Sequence, residues 1–221
     1  MTALPISPKA DLIRSLDDIG SEFGTDKAHD GHDYLRVYEE VLSEFAYEPI
    51  TLLEIGVWEG ASLRTWNAWL KNLLTRIVGV DTDLTRCTVA DGERIYLRRG
   101  DAGSSDFLRA LVSEFRTIED DRAGARAGAF DVVIDDGSHQ IEQQTVSFGV
   151  LWPEMRPGGV YIIEDLHTYF WPQANPPNAL DWLVRLAAIA TGQGRQRWEG
   201  PVADIESVTF RQSLAIIKKR P

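Results

Sequence analysis

Two short acidic stretches, each directly after an apolar run, carry side chains that could do chemistry. The first is Asp135-Asp136-Gly137-Ser138-His139 and the second is Glu164-Asp165. Carboxylate oxygens are the ligands that hard divalent cations prefer, and a neutral imidazole near a metal can take a proton from an alcohol. A structural role is the alternative for the first stretch, because Gly and Ser are common where a strand turns into a helix.

The chain alternates strand and helix signals, which predicts an α/β fold with a mainly parallel sheet and helices on both faces. Strands are predicted at residues 51–57, 76–81, 94–99, 130–134 and 160–163, with a terminal pair at 205–210 and 213–218. Helices are predicted at residues 11–20, 34–45, 58 to about 74, from 105, 141–152 and 180–190, with Gly20 as the stop of the first and Asp33 as the cap of the second.

Acidic residues follow nearly every predicted strand of the parallel part. They are Glu54, Asp81, Asp101, Asp136, Glu164 and Asp165. Ligands bind outside the carboxyl ends of the strands in such sheets. If the fourth and fifth strands are neighbours, about 4.8 Å apart, the last three acids can converge on one point. Carboxylates that close repel one another unless a cation joins them, so oxygen ligands here predict Mg²⁺, Ca²⁺ or Mn²⁺.

A glycine motif at the first strand-to-helix junction predicts a nucleotide-type ligand. The pattern is Glu54-x-Gly56-x-x-x-Gly60, and glycine lets ligand atoms approach the backbone closely. Asp81 ends the second strand, at roughly the offset where an acid takes the ribose hydroxyls of a cofactor.

Composition narrows the class of protein. With 221 residues and 43% hydrophobic residues, the chain fits one globular domain, and its formal charge of −11 argues against nucleic-acid binding. The sequence shows neither a signal peptide nor an apolar run of the roughly 18 residues that a membrane span needs, so we expect a cytoplasmic protein. Cys87 is the single cysteine, which excludes a cysteine-rich zinc site.

These motifs together resemble class I S-adenosylmethionine-dependent methyltransferases. More narrowly, Gly24-Thr25-Asp26-Lys27, the stretch from Asp135 to His139, and Glu164-Asp165-Leu166-His167-Thr168 resemble the metal-dependent sugar O-methyltransferases. That group methylates deoxysugars of macrolides such as mycinamicin and tylosin, and mannose in mycobacterial methylmannose polysaccharides. The resemblance spans about residues 20 to 220.

The resemblance implies a Rossmann-like, mainly parallel seven-stranded sheet with a C-terminal antiparallel pair, and a role for each motif residue. Asp136, Glu164 and Asp165 would hold Mg²⁺ (or Mn²⁺), and His139 would be the general base. Glu54 and Gly56 would lie beside the methionine part of S-adenosylmethionine, Asp81 would bind the ribose, and Asp101 would face the adenine.

The resemblance also implies a domain organisation and an acceptor. Residues 1–48 would form N-terminal helices and a lid, and residues 49–221 the catalytic domain. The macrolide enzymes carry a long extra N-terminal domain, so the shorter chain looks closer to the polysaccharide enzymes. The acceptor would be a saccharide or a glycosylated small molecule, with a homodimer left open.

Several side chains in two loops have weaker claims on the same site. His29 and His32 could bind a metal, although a turn capped by Asp33 is the alternative. His167 could share the task of His139 or support it, and an exposed histidine at a helix N-terminus is the alternative for His139. Tyr169, Phe170 and Trp171 could stack on a sugar, and the alternative is that these aromatic residues form a small core of their own loop.

Other functions share parts of these motifs. A nicotinamide-dependent oxidoreductase would need a tighter Gly-x-Gly-x-x-Gly turn. An iron-dependent hydroxylase could use Asp136, His139 and Glu164, and a catechol O-methyltransferase would also chelate its metal through adjacent hydroxyls. A non-catalytic saccharide-binding module would leave the acids of the predicted cofactor site unexplained.

Overall fold

A seven-stranded sheet forms the centre of the computed structural model, which describes residues 14–120, 128–171, 179–191 and 204–221. The strands are β1 (Thr51–Ile55), β2 (Arg76–Asp81), β3 (Ile95–Arg99), β4 (Phe130–Asp135), β5 (Met155–Ile163), β6 (Ile205–Arg211) and β7 (Leu214–Lys219). The helices are α1 (Leu16–Phe23), α2 (Leu35–Leu42), α3 (Ala61–Trp69), α4 (Ser105–Asp120), α5 (Ile141–Leu151) and α6 (Ala179–Ala190).

The strand order is β3-β2-β1-β4-β5-β7-β6. Strands β1 to β5 run parallel, and β7 is antiparallel to both β5 and β6. The predicted mainly parallel seven-stranded sheet with an antiparallel C-terminal pair is confirmed. The chain fills one side of β1 first and then crosses to β4, so the order reverses between β1 and β4. Open α/β sheets bind ligands at such a reversal.

Both faces of the sheet are covered. On one face α4, α5 and α6 contribute Leu108, Phe148 and Leu183 to a buried cluster. On the other face α1, α2 and α3 contribute residues such as Tyr38 and Trp66. Burial on both faces explains why β1 is apolar and buried along its whole length. Within the described residues, no helix is long and apolar enough to span a membrane.

The prediction that Gly20 stops the first helix is wrong. Helix α1 continues through Gly20 to Phe23 and ends at Gly24, which has a left-handed φ of 73°. Gly20 is small for a packing reason, because an added Cβ would lie 2.1 Å from the Leu35 side chain. The start of the predicted helix, residues 11–13, lies outside the described residues.

The predicted Asp33 cap is also wrong. Helix α2 begins at Leu35 after Tyr34 and has no side-chain cap. Asp33 instead takes a left-handed φ of 56° and forms an ion pair with Arg36 at 3.2 Å. The helix predicted to end at about Leu74 is shorter than predicted. Helix α3 ends at Trp69.

Strand β1 ends two residues earlier than predicted, and the reason is Gly56. Gly56 has a φ of 84°, and its N–H donates to Val80 O at 2.8 Å. The neighbouring Asp136 N–H donates to Ile55 O at 2.9 Å. A Cβ on Gly56 would lie 2.0 Å from Asp136 O. Glycine therefore lets the ends of β1 and β4 meet.

We expect Gly56→Ala to lower the free energy of unfolding by about 3 kcal/mol, because the methyl group meets backbone and the residue keeps a positive φ. Gly149→Ala is the control, since a Cβ there meets nothing within 4 Å on helix α5. That change should stabilise the protein by about 0.5 to 1 kcal/mol. Urea denaturation measures both, and equal stability of the two variants would contradict this account.

Candidate functional site

A buried lysine lies among the acids that follow β1, β4 and β5. Lys27 is 2% exposed. Its Nζ donates to Asp136 Oδ2 and, at 2.9 Å, to Glu164 Oε2. Glu54 Oε1 lies 3.8 Å from the same nitrogen. One ammonium group is therefore shared by three carboxylates from three neighbouring strands.

The charges in this cluster stabilise one another against burial. Burial lowers the pKa of Lys27, but Asp136, Glu164 and Glu54 outweigh it and hold that pKa well above its ordinary value. Burial raises the pKa of Glu164 well above its usual range, Asp136 raises it further, and Lys27 opposes both. Lys27 is therefore the cation on which the ionisation of these carboxylates depends.

The side chain of Glu164 points toward the N-terminal helices. It is 2% exposed, and its Oε1 accepts a hydrogen bond from the Tyr38 hydroxyl of α2. Its Oε2 accepts the bond from Lys27. Each oxygen of Glu164 thus has a partner from the segment that precedes β1.

Asp136 also belongs to a second group of side chains. Asp136, His139 and Asp165 each offer one ligand atom, and these atoms lie within 4.8 Å of one another. His139 Nε2 is 3.6 Å from Asp165 Oδ2, and the Tyr34 hydroxyl donates to Asp165 Oδ1 at 2.7 Å. All three are half-buried, so a small cation could reach them.

Two members of this group have unusual backbone conformations. His139 has a φ of 56° and Asp165 a φ of 58°, both left-handed. Such conformations cost about 1 to 3 kcal/mol in non-glycine residues and cluster at functional sites. Asp165 also precedes the 3-10 helix Leu166–Phe170. The fold accepts strain at the two positions that bring these side chains together.

Glu54 is buried at the end of β1 and is held by helix α3. Ser62 Oγ donates to it at 2.9 Å and Trp66 Nε1 at 3.2 Å, both to Oε2. Its Oε1 has no hydrogen-bond partner among the described residues. Burial raises the pKa of Glu54 to about 7, and Lys27 opposes that shift.

A cavity of about 360 Å³ opens at the carboxyl ends of β1 to β4. Its lining includes Gly56, Asp81, Asp101 and His139. Ligand sites commonly measure about 300 to 1,000 Å³. With Asp136, which also lines it, the structure brings five residues of the predicted site to this cavity.

A second cavity of about 370 Å³ adjoins the first. It is lined by Lys27, Ser62 and other residues of the N-terminal loop and α3, and it shares Gly56, Trp58 and Asp136 with the first cavity. An elongated ligand can therefore extend through both cavities and pass Asp136 at their junction.

Asp81 also has a structural role. The N–H groups of Val57 and Trp58 donate to its Oδ2 at 2.9 and 3.2 Å. Asp101 is more exposed, and its Oδ1 accepts from Gly103 N–H at 2.7 Å. Asp81 and Asp101 both also line the first cavity.

The two histidines of the N-terminal loop lie apart from the acid cluster. His29 Nδ1 is 2.8 Å from Asp17 Oδ2. The His32 ring stacks on Tyr34 and His167, with centroids 5.1 and 6.0 Å apart. Neither histidine belongs to the candidate metal group described above.

The aromatic residues after β5 divide into buried and exposed ones. Tyr169 is buried and its hydroxyl donates to Gln144, so the prediction that it stacks on a ligand is wrong. Phe170 is 74% and Trp171 is 51% exposed. The rest of the predicted loop, residues 172–178, lies outside the described residues.

The sequence predictions placed Lys27 in the segment that closes over the site but not in contact with the acids, and they gave no role to Tyr38. The sequence indicated a role for Lys27 because the acids of the predicted site have no basic partner among the predicted site residues, and the loop after α1 contains one lysine. The signal for Tyr38 was its spacing from Tyr34, since residues four apart share one helix face.

Comparison with known proteins identifies what this chain resembles. Residues 53–166 match the family described as "Methyltransferase domain". The matched segment contains both acidic stretches. Lys27 and its loop lie before it.

Several curated relatives are named as O-methyltransferases. Mycinamicin VI 2''-O-methyltransferase of Micromonospora griseorubida is 34% identical over 73% of this chain and 39% of its own length. Demethylmacrocin O-methyltransferase of Streptomyces fradiae is 35% identical over 71% of this chain and 38% of its own length. The chain thus spans about two fifths of these relatives.

Solved structures show the same fold. The MycE methyltransferase of the mycinamycin pathway, in complex with Mg and SAH, is 27% identical with a TM-score of 0.75. The match covers 94% of this chain and 55% of that one. A second structure of the same enzyme also contains mycinamycin VI, with 28% identity and a TM-score of 0.75 over 94% of this chain and 55% of that one.

The raised pKa of Glu54 predicts a pH dependence of stability. Its folded pKa of about 7 lies above the ordinary value of 4.5, so the folded state keeps a proton that the unfolded chain releases between these values. Stability from this group is present below pH 4.5 and is lost as the pH rises to about 7, by at most about 1.4 kcal/mol per pH unit.

We expect Glu54→Gln to remove this dependence. The stability of the wild type relative to the variant should fall between pH 5 and pH 7.5 in urea titrations. Glu206→Gln, at an exposed position of β6, is the control and should leave the pH profile unchanged. A constant difference between wild type and Glu54→Gln across this range would contradict the assignment.

Proposed function

The chain belongs to the methyltransferase domain family, and from that premise we propose that it moves the methyl group of S-adenosylmethionine to a sugar hydroxyl, with Mg²⁺ or Mn²⁺ as the metal. The acceptor would be a saccharide or a glycosylated small molecule. The observation that carries this proposal is the meeting of two cavities at Asp136, beside the group formed by Asp136, His139 and Asp165.

The two cavities fit S-adenosylmethionine. The first offers Asp81 for ribose hydroxyls and Asp101 near the adenine. The second would take the methionine end beside Glu54 and Gly56. The close approach of Gly56 to the Asp136 backbone leaves no room for a side chain at the junction, where the sulfur would lie.

The acid cluster fits a hard divalent cation by its donor set. Asp136 and Asp165 supply carboxylate oxygens, which Mg²⁺ and Mn²⁺ prefer. We retain Glu164 as a third ligand in this proposal, because it is one residue from Asp165 and shares Lys27 with Asp136. Glu164 can bind the metal through Oε2 only if Lys27 no longer donates a hydrogen bond to that oxygen.

In this proposal His139 acts as the general base. When bound, the cation would supply positive charge that favours deprotonation of a nearby sugar hydroxyl. His139 Nε2 belongs to the same group and would accept that proton, and the Asp165 carboxylate, fixed by Tyr34 and 3.6 Å from this nitrogen, would stabilise the imidazolium that forms. The acceptor oxygen then attacks the methyl carbon in line with the departing sulfur, so the new C–O bond replaces the C–S bond.

A sugar acceptor is favoured by the names of the relatives. Both mycinamicin VI 2''-O-methyltransferase and L-olivosyl-oleandolide 3-O-methyltransferase are named for positions on sugars. Phe170 and Trp171 are exposed just past Asp165 and would offer apolar surface to a sugar face. A methylmannose-type acceptor remains one proposal within this class.

The alternatives receive less support from the site. An iron-dependent oxygenase commonly uses two histidines and one carboxylate, whereas the group at Asp136 among the described residues holds one histidine and two carboxylates. A catechol acceptor would chelate the metal in the same way. The screen of acceptors described below distinguishes a catechol from a sugar.

We expect His139→Ala to reduce methyl transfer by at least about 100-fold while the affinity for S-adenosylmethionine stays near that of the wild type. His29→Ala is the matched control, because His29 pairs with Asp17 away from the cluster. Product formation by mass spectrometry measures turnover, and calorimetry measures cofactor binding. Full activity of His139→Ala would contradict the assignment of the base.

A screen of acceptors tests the function itself. The chain is incubated with S-adenosylmethionine and deoxysugar glycosides, mannose oligosaccharides or a catechol, with Mg²⁺ or with a chelator. We expect methylation of a sugar acceptor that requires the metal. Methylation of the catechol alone, or transfer to sugars that is unaffected by the chelator, would contradict the proposal.

A further inference from the structure

Lys27 occupies a position that the proposed chemistry gives to a metal. Its ammonium is bound to Asp136, which also belongs to the group with His139 and Asp165, and to Glu164, the third proposed ligand. It is 2% exposed and lies within a network of carboxylates rather than at the surface. The resemblance of the motifs implies that Lys27 belongs to a segment that closes over the site, but it assigns no chemical role to the side chain, and the family match begins after it.

We propose that Lys27 is an internal counterion that holds Asp136 and Glu164 together in the metal-free protein and exchanges with the incoming divalent cation, turning its ammonium into the adjacent cavity. This inference rests on the proposed function for the identity of the metal. Lys27 is a positioning residue in this scheme, since it acts on the ligands and not on the acceptor.

Electrostatics require a cation here in either state. Three carboxylates in one buried cluster are stable only with positive charge among them. An ammonium and a divalent cation on the same carboxylate repel each other, so the arrival of one favours the departure of the other. Lys27 and the metal therefore alternate as the positive charge that offsets these carboxylates.

The backbone of Lys27 stays in place during this exchange. The Lys27 carbonyl accepts from the N–H groups of Tyr34 and Leu35 at 2.8 and 3.0 Å, at the start of α2. The motion is therefore a rotation of the flexible four-carbon side chain. The hydroxyls of Tyr34 and Tyr38 remain on Asp165 and Glu164 throughout.

The second cavity gives the displaced ammonium a place to go. It is lined by Lys27 itself together with Asp26 and Glu59, whose side chains are exposed to solvent. The ammonium can thus stay near negative charge after it leaves Asp136, and the methionine carboxylate that the proposed function places in this cavity would add to that charge. The displaced Lys27 ammonium therefore needs no second buried position.

Mn²⁺ binding to the full chain tests the exchange. The wild type must release Lys27 before it binds the metal, so its apparent affinity is reduced by the fraction of protein in the released state. We expect Lys27→Met to bind Mn²⁺ about tenfold or more tightly than the wild type in calorimetric or paramagnetic-resonance titrations. Lys71→Met, at an exposed lysine that donates to Ala68 O, should bind like the wild type.

Thermal unfolding provides a readout alongside affinity. Without metal, Lys27→Met should unfold at a lower temperature than the wild type, and saturating Mn²⁺ should raise its unfolding temperature by more than it raises that of the wild type. A residue that served structure alone would lower the unfolding temperature without tightening Mn²⁺ binding, and that outcome would overturn the proposal.

Amine labelling of the wild type keeps the proposal testable if the variant does not fold. Lys27 should resist acetylation without metal and become reactive with saturating Mn²⁺, whereas Lys71 should react in both conditions. Unchanged protection of Lys27 would overturn the exchange. Mn²⁺ binding to neither the wild type nor Lys27→Met would overturn the metal half of the proposed function as well, whereas equal binding to both would overturn the exchange alone.

Discussion

Carboxylates buried at the end of a sheet need a cation, and this requirement organises the site. Glu54, Asp136 and Glu164 follow three neighbouring parallel strands, so the topology forces them together. Their mutual repulsion would favour protonation or unfolding if nothing opposed it. Lys27 supplies the opposing charge and, by doing so, fixes the N-terminal segment over the carboxyl edge of the sheet. The second cavity is lined in part by that segment.

The five residues from Asp135 to His139 divide structural and chemical tasks between them. Asp135 is buried in β4 and accepts from Ser147 Oγ at 2.6 Å and from the Tyr161 hydroxyl at 3.1 Å, which fixes the end of the strand. Asp136 faces both the lysine and the candidate metal group. The turn then brings His139, in a left-handed conformation, toward Asp165. This stretch therefore contains a turn and also supplies Asp136 and His139 to the candidate metal group, while their chemical roles stay a prediction.

Local patterns predicted the sheet well and the contacts across it poorly. Apolar runs marked β2 and β4 to within a residue, and parallel topology alone placed the acids on one edge. Gly20 and Asp33 were misjudged because tertiary packing and an ion pair decided their roles. The contacts of Lys27 with Asp136 and Glu164 could not be predicted from spacing, since 109 and 137 residues of chain separate the partners. Which cation satisfies a cluster is a question of three-dimensional packing, and no spacing in the sequence encodes it.

Crystals of the chain soaked with Mn²⁺ and S-adenosylhomocysteine test the central claim most directly, because anomalous scattering locates the metal without a model of its ligands. The account predicts one strong peak about 2 Å from oxygens of Asp136 and Asp165, with the cofactor product extending through both cavities and the Lys27 ammonium no longer on Asp136. A peak elsewhere, or no peak with Lys27 still bound to Asp136, would contradict it.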